Sequence, residues 1–385
     1  MGHSETSVQP VRTAVVLAAG EGSRLDPSGR QPKPLAPLLG LSLAERALVT
    51  SAEAGVRRFV VVLGHQAHEV RAHFEGIARR RRLEVEFEVA SKWGLGNGES
   101  ALAVASSMGE LPFFLIMVDH LVDASIYRRL LGEPPGEGEI CLAVDRDRDG
   151  VFDVADVTKV SLSDGRITEI RKDLDHWDGA DTGVFLCTRA LFDGLARARE
   201  GGRHTLSDGV AELAKEGAAR AVDVTGESWL DLDTPAAMKE ARRRLISALG
   251  KGRDDGYIST LINRRASVPL SALLSRTALT PDFLTVLSFL GCLAGAGLLS
   301  TGQYATGLMG GLLVQAASVL DGCDGEIARL KRLATARGGW LDTVLDRYAD
   351  VGMVVAITFA HSRLHPGSLT WVGGLVAATG FILAS

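Results

Sequence analysis

The chain has 385 residues, long enough for two domains, and a formal net charge of −5 at pH 7. It has no basic stripe with interleaved aromatic residues, so the composition argues against a nucleic-acid-binding protein. The four cysteines are scattered without a CxxC pair. This pattern indicates buried thiols in a reduced compartment and excludes a disulfide framework or a zinc site.

The first part of the chain is charged throughout and predicts a soluble α/β domain. Residues 1–11 are polar and predict a disordered leader, not a signal peptide. Across residues 12–249, short apolar runs at 12–20, 57–65 and 111–120 alternate with helical patterns such as 42–55. This alternation predicts a mostly parallel sheet between helices. Residues 158–170 predict a hairpin that turns at Asp164–Gly165, and Thr234–Pro235 predicts the start of the helix that closes the domain.

The second part of the chain is apolar and predicts an all-α, multi-span transmembrane domain at 282–385. No Asp, Glu, Lys or Arg occurs from Phe283 to Leu320, which is enough for two spans joined by a turn near 300–307. Residues 347–361 and 366–385 predict a third and a fourth span. Because the last apolar stretch reaches Ser385, we expect an incomplete domain of about four spans. The alternative is a buried hairpin of a soluble protein.

Two short segments join these parts. Residues 250–256 predict a linker, and residues 257–281 predict an amphipathic helix on the membrane surface. The alternative for 257–281 is a surface helix of the soluble domain. The small-residue pairs Gly291/Gly295 and Gly307/Gly311 predict close contacts between membrane helices.

The distribution of basic residues predicts the orientation in the membrane. They occur before the first span and again between the second and third, at Arg329, Lys331, Arg332 and Arg337. The positive-inside tendency then predicts a multi-pass protein of the cell membrane with its N-terminal domain in the cytoplasm.

A glycine-rich loop follows the first strand, in "LAAGEGSRLDPSGRQPKPL" at 17–35. Gly20 and Gly22 permit a tight turn whose backbone N–H groups face phosphate oxygens. Arg24 and Lys33 add positive charge for a triphosphate and a departing pyrophosphate. The spacing lacks G-x-G-x-x-G, which argues against a dinucleotide site. The predicted substrate-binding residues of this stretch are Leu17, Ala18, Ala19, Gly20 and Gly22.

With its "PKPL" lysine, this stretch resembles the sugar-phosphate nucleotidyltransferase family over roughly residues 12–248. The resemblance implies a Rossmann-like domain that joins a nucleoside triphosphate to a sugar or polyol phosphate and releases pyrophosphate. It implies catalytic roles for Arg24 and Lys33, and one Mg2+ (Mn2+ as the alternative) held by two aspartates. Asp119 in "MVDH" matches the first. Asp231 and Asp233 in "WLDLDTP" both stay candidates for the second, and Asp233 could instead cap a helix.

The loop "WGLGNGES" at 93–100 contains Asn97, whose amide could hydrogen-bond to the edge of a pyrimidine base. An ordinary Asn-Gly turn is the alternative. In this context the chain resembles cytidylyltransferases that act on inositol 1-phosphate. The resemblance implies CTP and inositol 1-phosphate as substrates. It also implies that Lys159, Lys172 and Asp181 bind the polyol phosphate. A lysine of this kind could also be a solvated surface charge.

Four aspartates border the apolar half of the chain. Asp321 and Asp324 are three residues apart and Asp342 and Asp346 four apart, so each pair lies on one face of a helix. Four such carboxylates would repel one another unless hard divalent cations lie between them, and two cations could clamp a diphosphate. The alternative is pairing with nearby arginines on a wet loop. The small residues that would let the helices approach are Gly325, Ala328 and Gly338.

The full pattern, D-x2-D-G-x2-A-R-x8-G-x3-D-x3-D, resembles the CDP-alcohol phosphatidyltransferase family over about residues 257–385. The resemblance implies two metal ions bound by the four aspartates, with Asp346 also the general base for the acceptor hydroxyl. It implies that Arg329 neutralises the CDP phosphates and that Gly325, Ala328 and Gly338 border the substrate. It also implies six membrane helices, of which this chain would lack about two, and a homodimer through them.

The order of the two halves resembles the bifunctional inositol-1-phosphate cytidylyltransferase / di-myo-inositol phosphate phosphate synthase family. The resemblance implies that CTP and inositol 1-phosphate give CDP-inositol, whose phosphoinositol group passes to a second inositol 1-phosphate with release of CMP. Three alternatives stay open: a phospholipid synthase that uses CDP-diacylglycerol, an anchored cytidylyltransferase with an inactive second domain, and a membrane-tethered scaffold. Intact Lys33, Asp119 and motif aspartates argue against the scaffold.

Overall fold

The computed structural model describes residues 11–110, 112–249 and 263–383. The chain divides into two compact units, Met1–Ala241 and Arg242–Ser385. The predicted leader, except for its last residue, and the predicted linker at 250–256 lie outside the described residues. That last residue, Val11, is buried in the hydrophobic core of the first unit, so the leader prediction is wrong at this position.

The first unit contains both strands and helices. Its described strands are β1 Thr13–Ala18, β2 Pro37–Leu38, β3 Leu41–Ser42, β4 Arg58–Leu63, β5 Glu84–Val89, β6 Phe113–Met117, β7 His120–Val122, β8 Ile140–Asp145, β9 Lys159–Ser163, β10 Arg166–Arg171, β11 Gly179–Cys187, β12 Ala219–Asp223 and β13 Trp229–Asp231. Its described helices are α1 Leu43–Glu53, α2 Ala67–Arg81, α3 Asn97–Leu102, α4 Ala124–Gly132, α5 Ala190–Glu200, α6 Leu206–Lys215 and α7 Pro235–Leu249, the last of which continues past the division between the units.

Nine of the described strands form one sheet in the order β5-β4-β1-β6-β11-β8-β12-β10-β9. The half from β5 to β6 is parallel, as predicted. The other half is mixed, because β11 runs antiparallel to both β6 and β8. The prediction of a mostly parallel sheet is therefore right only for the first half. The predicted hairpin is confirmed as β9–β10, with Asp164 at φ 49° and Gly165 at φ 75° in the turn.

Helices cover both faces of this sheet. Along β1, Ala14, Val16 and Ala18 pack into one hydrophobic cluster with α1, α2 and α4, whereas Val15 and Leu17 pack into another with α3, α5 and α6. Because successive side chains of a strand point to opposite faces, the continuous apolar run "AVVL" serves both clusters. The loop of Gly20 and Arg24 therefore begins only beyond the carboxyl end of β1.

The second unit is helical in its described residues: α8 Arg264–Leu274, α9 Pro281–Leu299, α10 Tyr304–Leu330, α11 Ala336–Leu364 and α12 Ser368–Leu383. Residues 257–262 of the predicted helix at 257–281 lie outside the described residues, and the helix ends earlier than expected. It ends at Leu274 because Thr280 caps a new helix, its hydroxyl accepting from Phe283 N, with Pro281 in the first helical turn. A turn predicted near 300–307 lies between α9 and α10 but occupies only residues 300–303, because α10 begins at Tyr304.

Membrane-spanning potential is weaker than predicted. Among the described residues, only Pro281–Leu299 is long and apolar enough to cross a membrane, and Leu369–Gly380 is a shorter apolar helix. Gly291 and Gly295 do bring α9 close to α10: a Cβ on Gly295 would lie 2.9 Å from the carbonyl oxygen of Gly310. The partner glycine is thus Gly310, whereas a Cβ on Gly307 or Gly311 would meet nothing within 4 Å.

The crossing of α5 and α6 yields a stability prediction. A Cβ on Gly194 would lie 2.7 Å from the carbonyl oxygen of Gly209, a backbone atom that cannot move without shifting α6. We expect Gly194→Ala to lower the free energy of unfolding by about 1–3 kcal/mol, as overpacking usually does. Thermal unfolding of the full chain measures this. The control is Gly109→Ala, where the added Cβ meets nothing within 4 Å; equal losses in both variants would contradict the prediction.

Candidate active sites

A cavity of about 320 Å3 opens in the first unit, beyond the carboxyl ends of β1 and β6. Most of the predicted residues of the first half border it. They are Gly20, Gly22, Arg24, Lys33, Asn97, Asp119, Lys172, Asp181, Asp231 and Asp233. Residues from distant parts of the chain are therefore brought together in one space.

A smaller cavity of about 110 Å3 is bordered by the predicted residues Leu17, Ala18 and Ala19. Gly20, Lys33, Asn97 and Asp119 border both cavities. Lys159 borders neither, and its Nζ donates to the carbonyl oxygen of Leu174 at 3.5 Å. Because Lys159 pairs with Arg171 and Ala180 in the sheet, its side chain is held at the 172–178 loop. The structure does not bring it to the other predicted phosphate-binding residues.

Lys33 is the central cation of the large cavity. Its side chain is only 6% exposed; Nζ donates to Asp119 Oδ2 at 2.5 Å and also pairs with Asp233. Burial by itself lowers the pKa of Lys33, but Asp119 and Asp233 outweigh burial and hold the pKa above its ordinary value. Gly22, at φ 70°, is required here because a Cβ would lie 2.5 Å from the Cβ of Lys33.

A second set of ion pairs lies at the edge of the same cavity. Arg24 pairs with Asp233 and Asp156, and the other oxygen of Asp156 accepts from Lys172 Nζ at 2.6 Å. Sequence reasoning missed Asp156, which lies in a loop 132 residues from Arg24 and has no motif around it. It joins two cations that were predicted to bind different phosphates.

Asp119, His120 and Asp231 form an acidic cluster with ligand atoms within 4.8 Å of one another. The Nδ1 of His120 lies 3.0 Å from Asp119 Oδ1, and Asp231 Oδ1 is buried without a hydrogen-bond partner in the described residues. Burial raises the pKa of Asp231 to about 6, an effect that His120 opposes and Asp119 adds to. Sequence reasoning missed His120, although it belongs to the "MVDH" stretch.

The role of Asp233 as a helix cap is not supported. The hydroxyl of Thr234 accepts from Ala237 N at 3.2 Å and caps α7. Asp233 instead pairs with Lys33 and Arg24. Asp181 also borders the cavity, and burial raises its pKa to about 6.

The motif aspartates converge in the second unit. Asp321 of α10 and Asp342 and Asp346 of α11 offer ligand atoms within 4.8 Å of one another. Asp324 lies alongside, with Asp342, at a cavity of about 170 Å3. The other predicted residues at this cavity are Gly325, Ala328, Arg329 and Gly338. The predicted convergence of the carboxylates is therefore present.

Helix α9 supplies hydroxyl groups to these aspartates, which sequence reasoning missed. The hydroxyl of Thr285 donates to Asp324 Oδ2, and that of Ser288 donates to Asp321 Oδ1 at 3.3 Å. Thr285 and Ser288 are three residues apart on one face of a largely apolar helix, and this spacing is the signal that could have revealed them. They fix the orientation of two of the four carboxylates.

Two family descriptions match the chain. Residues 14–212 match the MobA-like NTP transferase domain, and residues 278–385 match the CDP-alcohol phosphatidyltransferase family. A protein of Rubrobacter xylanophilus named bifunctional IPC transferase and DIPP synthase is 38% identical, over 97% of this chain and 82% of that protein. A protein of Aquifex aeolicus with the same name is 34% identical, over 94% of this chain and 80% of that protein.

The chain belongs to the family of bifunctional IPC transferases and DIPP synthases.

Among solved structures, the inositol-1-phosphate CTP transferase from T. maritima matches 60% of this chain and 96% of its own, with a TM-score of 0.54 and 25% identity. The predicted resemblances to a nucleotidyltransferase and to a CDP-alcohol phosphatidyltransferase are thus confirmed. The chain carries a nucleotidyltransferase domain and a CDP-alcohol phosphotransferase domain.

Both acidic clusters fit a divalent metal ion. Their donors are mostly carboxylate oxygens, which Mg2+ and Mn2+ prefer. Each cluster also contains a buried oxygen without a partner in the described residues, Asp231 Oδ1 in the first unit and Asp342 Oδ1 in the second. A bound cation would satisfy these orphaned acceptors.

The position of Lys33 yields a prediction about metal binding. Lys33→Met keeps a buried side chain of similar length but removes the charge that separates Asp119 from Asp233. We expect Mg2+ to bind more tightly in its place and to stabilise the variant by about 1–2 kcal/mol more than the wild type. Thermal unfolding with and without excess Mg2+ measures this.

The control is Lys215→Met, which removes an exposed lysine of the same unit, 64% exposed, outside the cavity. Both variants keep the acidic cluster of the second unit, so their difference reports on the first site. If Mg2+ stabilised Lys33→Met and the wild type equally, the prediction that Mg2+ takes the place of the Lys33 charge would be wrong.

Proposed function

We propose that the chain is a bifunctional enzyme that makes CDP-inositol from CTP and inositol 1-phosphate and then transfers the phosphoinositol group to a second inositol 1-phosphate. The products are pyrophosphate, then CMP and di-inositol phosphate phosphate. The observation that carries the proposal is that one chain contains both the Lys33–Asp119 cavity and the converging motif aspartates. The first domain would make the activated alcohol that the second consumes.

In the first reaction, an oxygen of inositol 1-phosphate attacks the α-phosphorus of CTP. The bond from this phosphorus to the bridging oxygen breaks, and pyrophosphate leaves. Lys33, Arg24 and the loop of Gly20 and Gly22 would bind the triphosphate, because they bring cations and backbone N–H groups to one cavity.

The acceptor of the first reaction would bind at the other side of the large cavity. Lys172 and Asp181 would bind inositol 1-phosphate, through its phosphate and a hydroxyl group respectively. Asp119 and Asp231 would hold one divalent metal, which supplies positive charge to the reacting phosphates. The orphaned Oδ1 of Asp231 supports Asp231 over Asp233 in this role, because the Asp233 oxygens pair with Lys33 and Arg24.

In the second reaction, a hydroxyl of inositol 1-phosphate attacks the inositol-bearing phosphorus of CDP-inositol, and CMP leaves. Asp346 would accept the hydroxyl proton, since its carboxylate lies exposed beside Asp321 and Asp342. Asp321, Asp324, Asp342 and Asp346 would hold two divalent metals, which neutralise the diphosphate. Arg329, with Gly325, Ala328 and Gly338, would border the CDP group.

The second domain would lie in the cell membrane as several spans. Large apolar side chains are exposed along its described helices, which supports contact with lipid; examples are Leu308, Met309, Leu312, Ile357, Leu375 and Val376. The basic residues around Lys331 support a cytoplasmic first domain. A surface position for α8 and a homodimer through the membrane helices stay predictions.

Mass analysis of the products from CTP and inositol 1-phosphate tests the proposal with the full chain in membranes. Release of pyrophosphate and then CMP, with a di-inositol phosphate phosphate product, is expected. CDP-inositol and CDP-diacylglycerol are also supplied separately, each with inositol 1-phosphate. Consumption of CDP-diacylglycerol alone would favour the phospholipid synthase.

If the two sites act independently, a mutation in one should spare the activity of the other. Lys33→Ala should lower pyrophosphate release from CTP by about 100-fold or more, because a charge that stabilises the leaving group is lost. The same variant should still release CMP from supplied CDP-inositol. Asp346→Asn should do the opposite and lower CMP release by about 100-fold or more, because the proton acceptor is lost.

Each variant is thus the control for the other. Rates of pyrophosphate and CMP release are measured on the same preparations. Loss of both activities in either variant would sink the assignment of two independent sites.

A further inference from the structure

The amide of Asn97 is oriented by a backbone contact. Its Oδ1 accepts a hydrogen bond from Leu206 N, at the start of α6, at 2.7 Å. A backbone N–H can only donate, so the oxygen end of the amide must face α6. The Nδ2 end, a donor, is then the end available to a ligand. Asn97 borders both cavities of the first unit.

This orientation is held by a tight contact between the 93–100 loop and the 204–206 segment. Gly98 N donates to the carbonyl oxygen of His204 at 3.0 Å, and a Cβ on Gly96 or Gly98 would lie 2.5 or 2.6 Å from that oxygen. The His204 Nδ1 lies 2.8 Å from Oε1 of Glu99, whose side chain is only 4% exposed. The amide therefore cannot turn over without losing a hydrogen bond inside a closely packed contact.

The smaller cavity suits a nucleobase at this position. Leu17, Ala18, Ala19 and Pro34 give it apolar walls, and Asn97 borders it with a polar group. Gly20 and Lys33 border the same cavity, on the loop proposed to bind the triphosphate. A base could thus occupy the small cavity while its phosphates lie in the large one.

A fixed donor discriminates between the two common pyrimidines. Cytosine presents N3 as an acceptor, whereas uracil presents N3–H as a donor. We propose that Nδ2 of Asn97 donates to N3 of cytosine and thereby selects a cytidine over a uridine nucleotide. This inference rests on the proposed first reaction. It adds which atom of Asn97 reads the base and which contact fixes that atom.

Asn97→Asp tests the inference at a single atom. One carboxylate oxygen still accepts from Leu206 N, and the other replaces the Nδ2 donor by an acceptor that suits N3–H of uracil. We measure kcat/KM for CTP and for UTP, with the full chain, inositol 1-phosphate and Mg2+, as pyrophosphate release. The ratio of CTP to UTP should fall by about 5- to 150-fold, the range of a good base contact.

Two further variants distinguish loss of the base contact from an effect of the added charge and from misfolding. Ser207→Asp adds the same charge at the edge of the large cavity and should lower both rates while it keeps the CTP-to-UTP ratio. Asn97→Ala removes the donor without adding charge and should also lower the ratio, so it serves if Asn97→Asp fails to fold. A wild-type ratio in Asn97→Ala, or in a folded Asn97→Asp, overturns the inference.

Pyrophosphate release by the wild type distinguishes a failure of this inference from a failure of the proposed function. If it releases no pyrophosphate from CTP and inositol 1-phosphate, the proposed first reaction fails. If it does so and the variants keep its CTP-to-UTP ratio, only the role of Asn97 Nδ2 fails.

Discussion

Carboxylates crowded into a small space must be balanced by positive charge, and both candidate sites depend on this constraint. In the first unit the chain supplies the cations itself: Lys33 lies between Asp119 and Asp233, and Arg24 pairs with Asp233 and Asp156. In the second unit, the described partners of Asp321 and Asp324 include hydroxyl groups of α9, which orient the oxygens but carry no charge. For this cluster we propose divalent cations as the balancing charge.

Strand pairing explains how the first set of charges meets. β1 and β6 are neighbours in the sheet, so Gly20 and Asp119 emerge at the same edge. A separate pair of strands, β7 and β13, places Asp231 directly opposite His120 in its register. The partly buried Asp231 thus reaches the cluster on a strand held by backbone hydrogen bonds, which constrain its position more strongly than a loop would.

Local patterns in the sequence were sufficient to predict β1, β4, β6 and the β9–β10 hairpin. Most of the predicted site residues border the cavities, but Lys159 does not, and His120 and Asp156 were missed. The mixed half of the sheet could not be predicted, because it depends on pairing between segments far apart in the chain. The same holds for Asp156 and His204, whose partners Arg24 and Glu99 lie 132 and 105 residues away. In the second unit, apolar composition predicted helices correctly, but it overestimated how many described helices meet the length and hydropathy of a span.

The two sites should respond differently to their substrates for the same electrostatic reason. A triphosphate that binds Lys33 and Arg24 must compete with Asp119, Asp156 and Asp233 for these cations, and removing a partner from a buried carboxylate is costly. A metal ion that enters with the nucleotide offsets this cost, since it can take over the carboxylates that the cations leave. On the proposed function, we therefore expect metal and triphosphate binding to be coupled in the first site. In the second, the α9 contacts to Asp321 and Asp324 come from uncharged hydroxyl groups. On the proposed function, we therefore expect metal binding there to be able to precede the diphosphate.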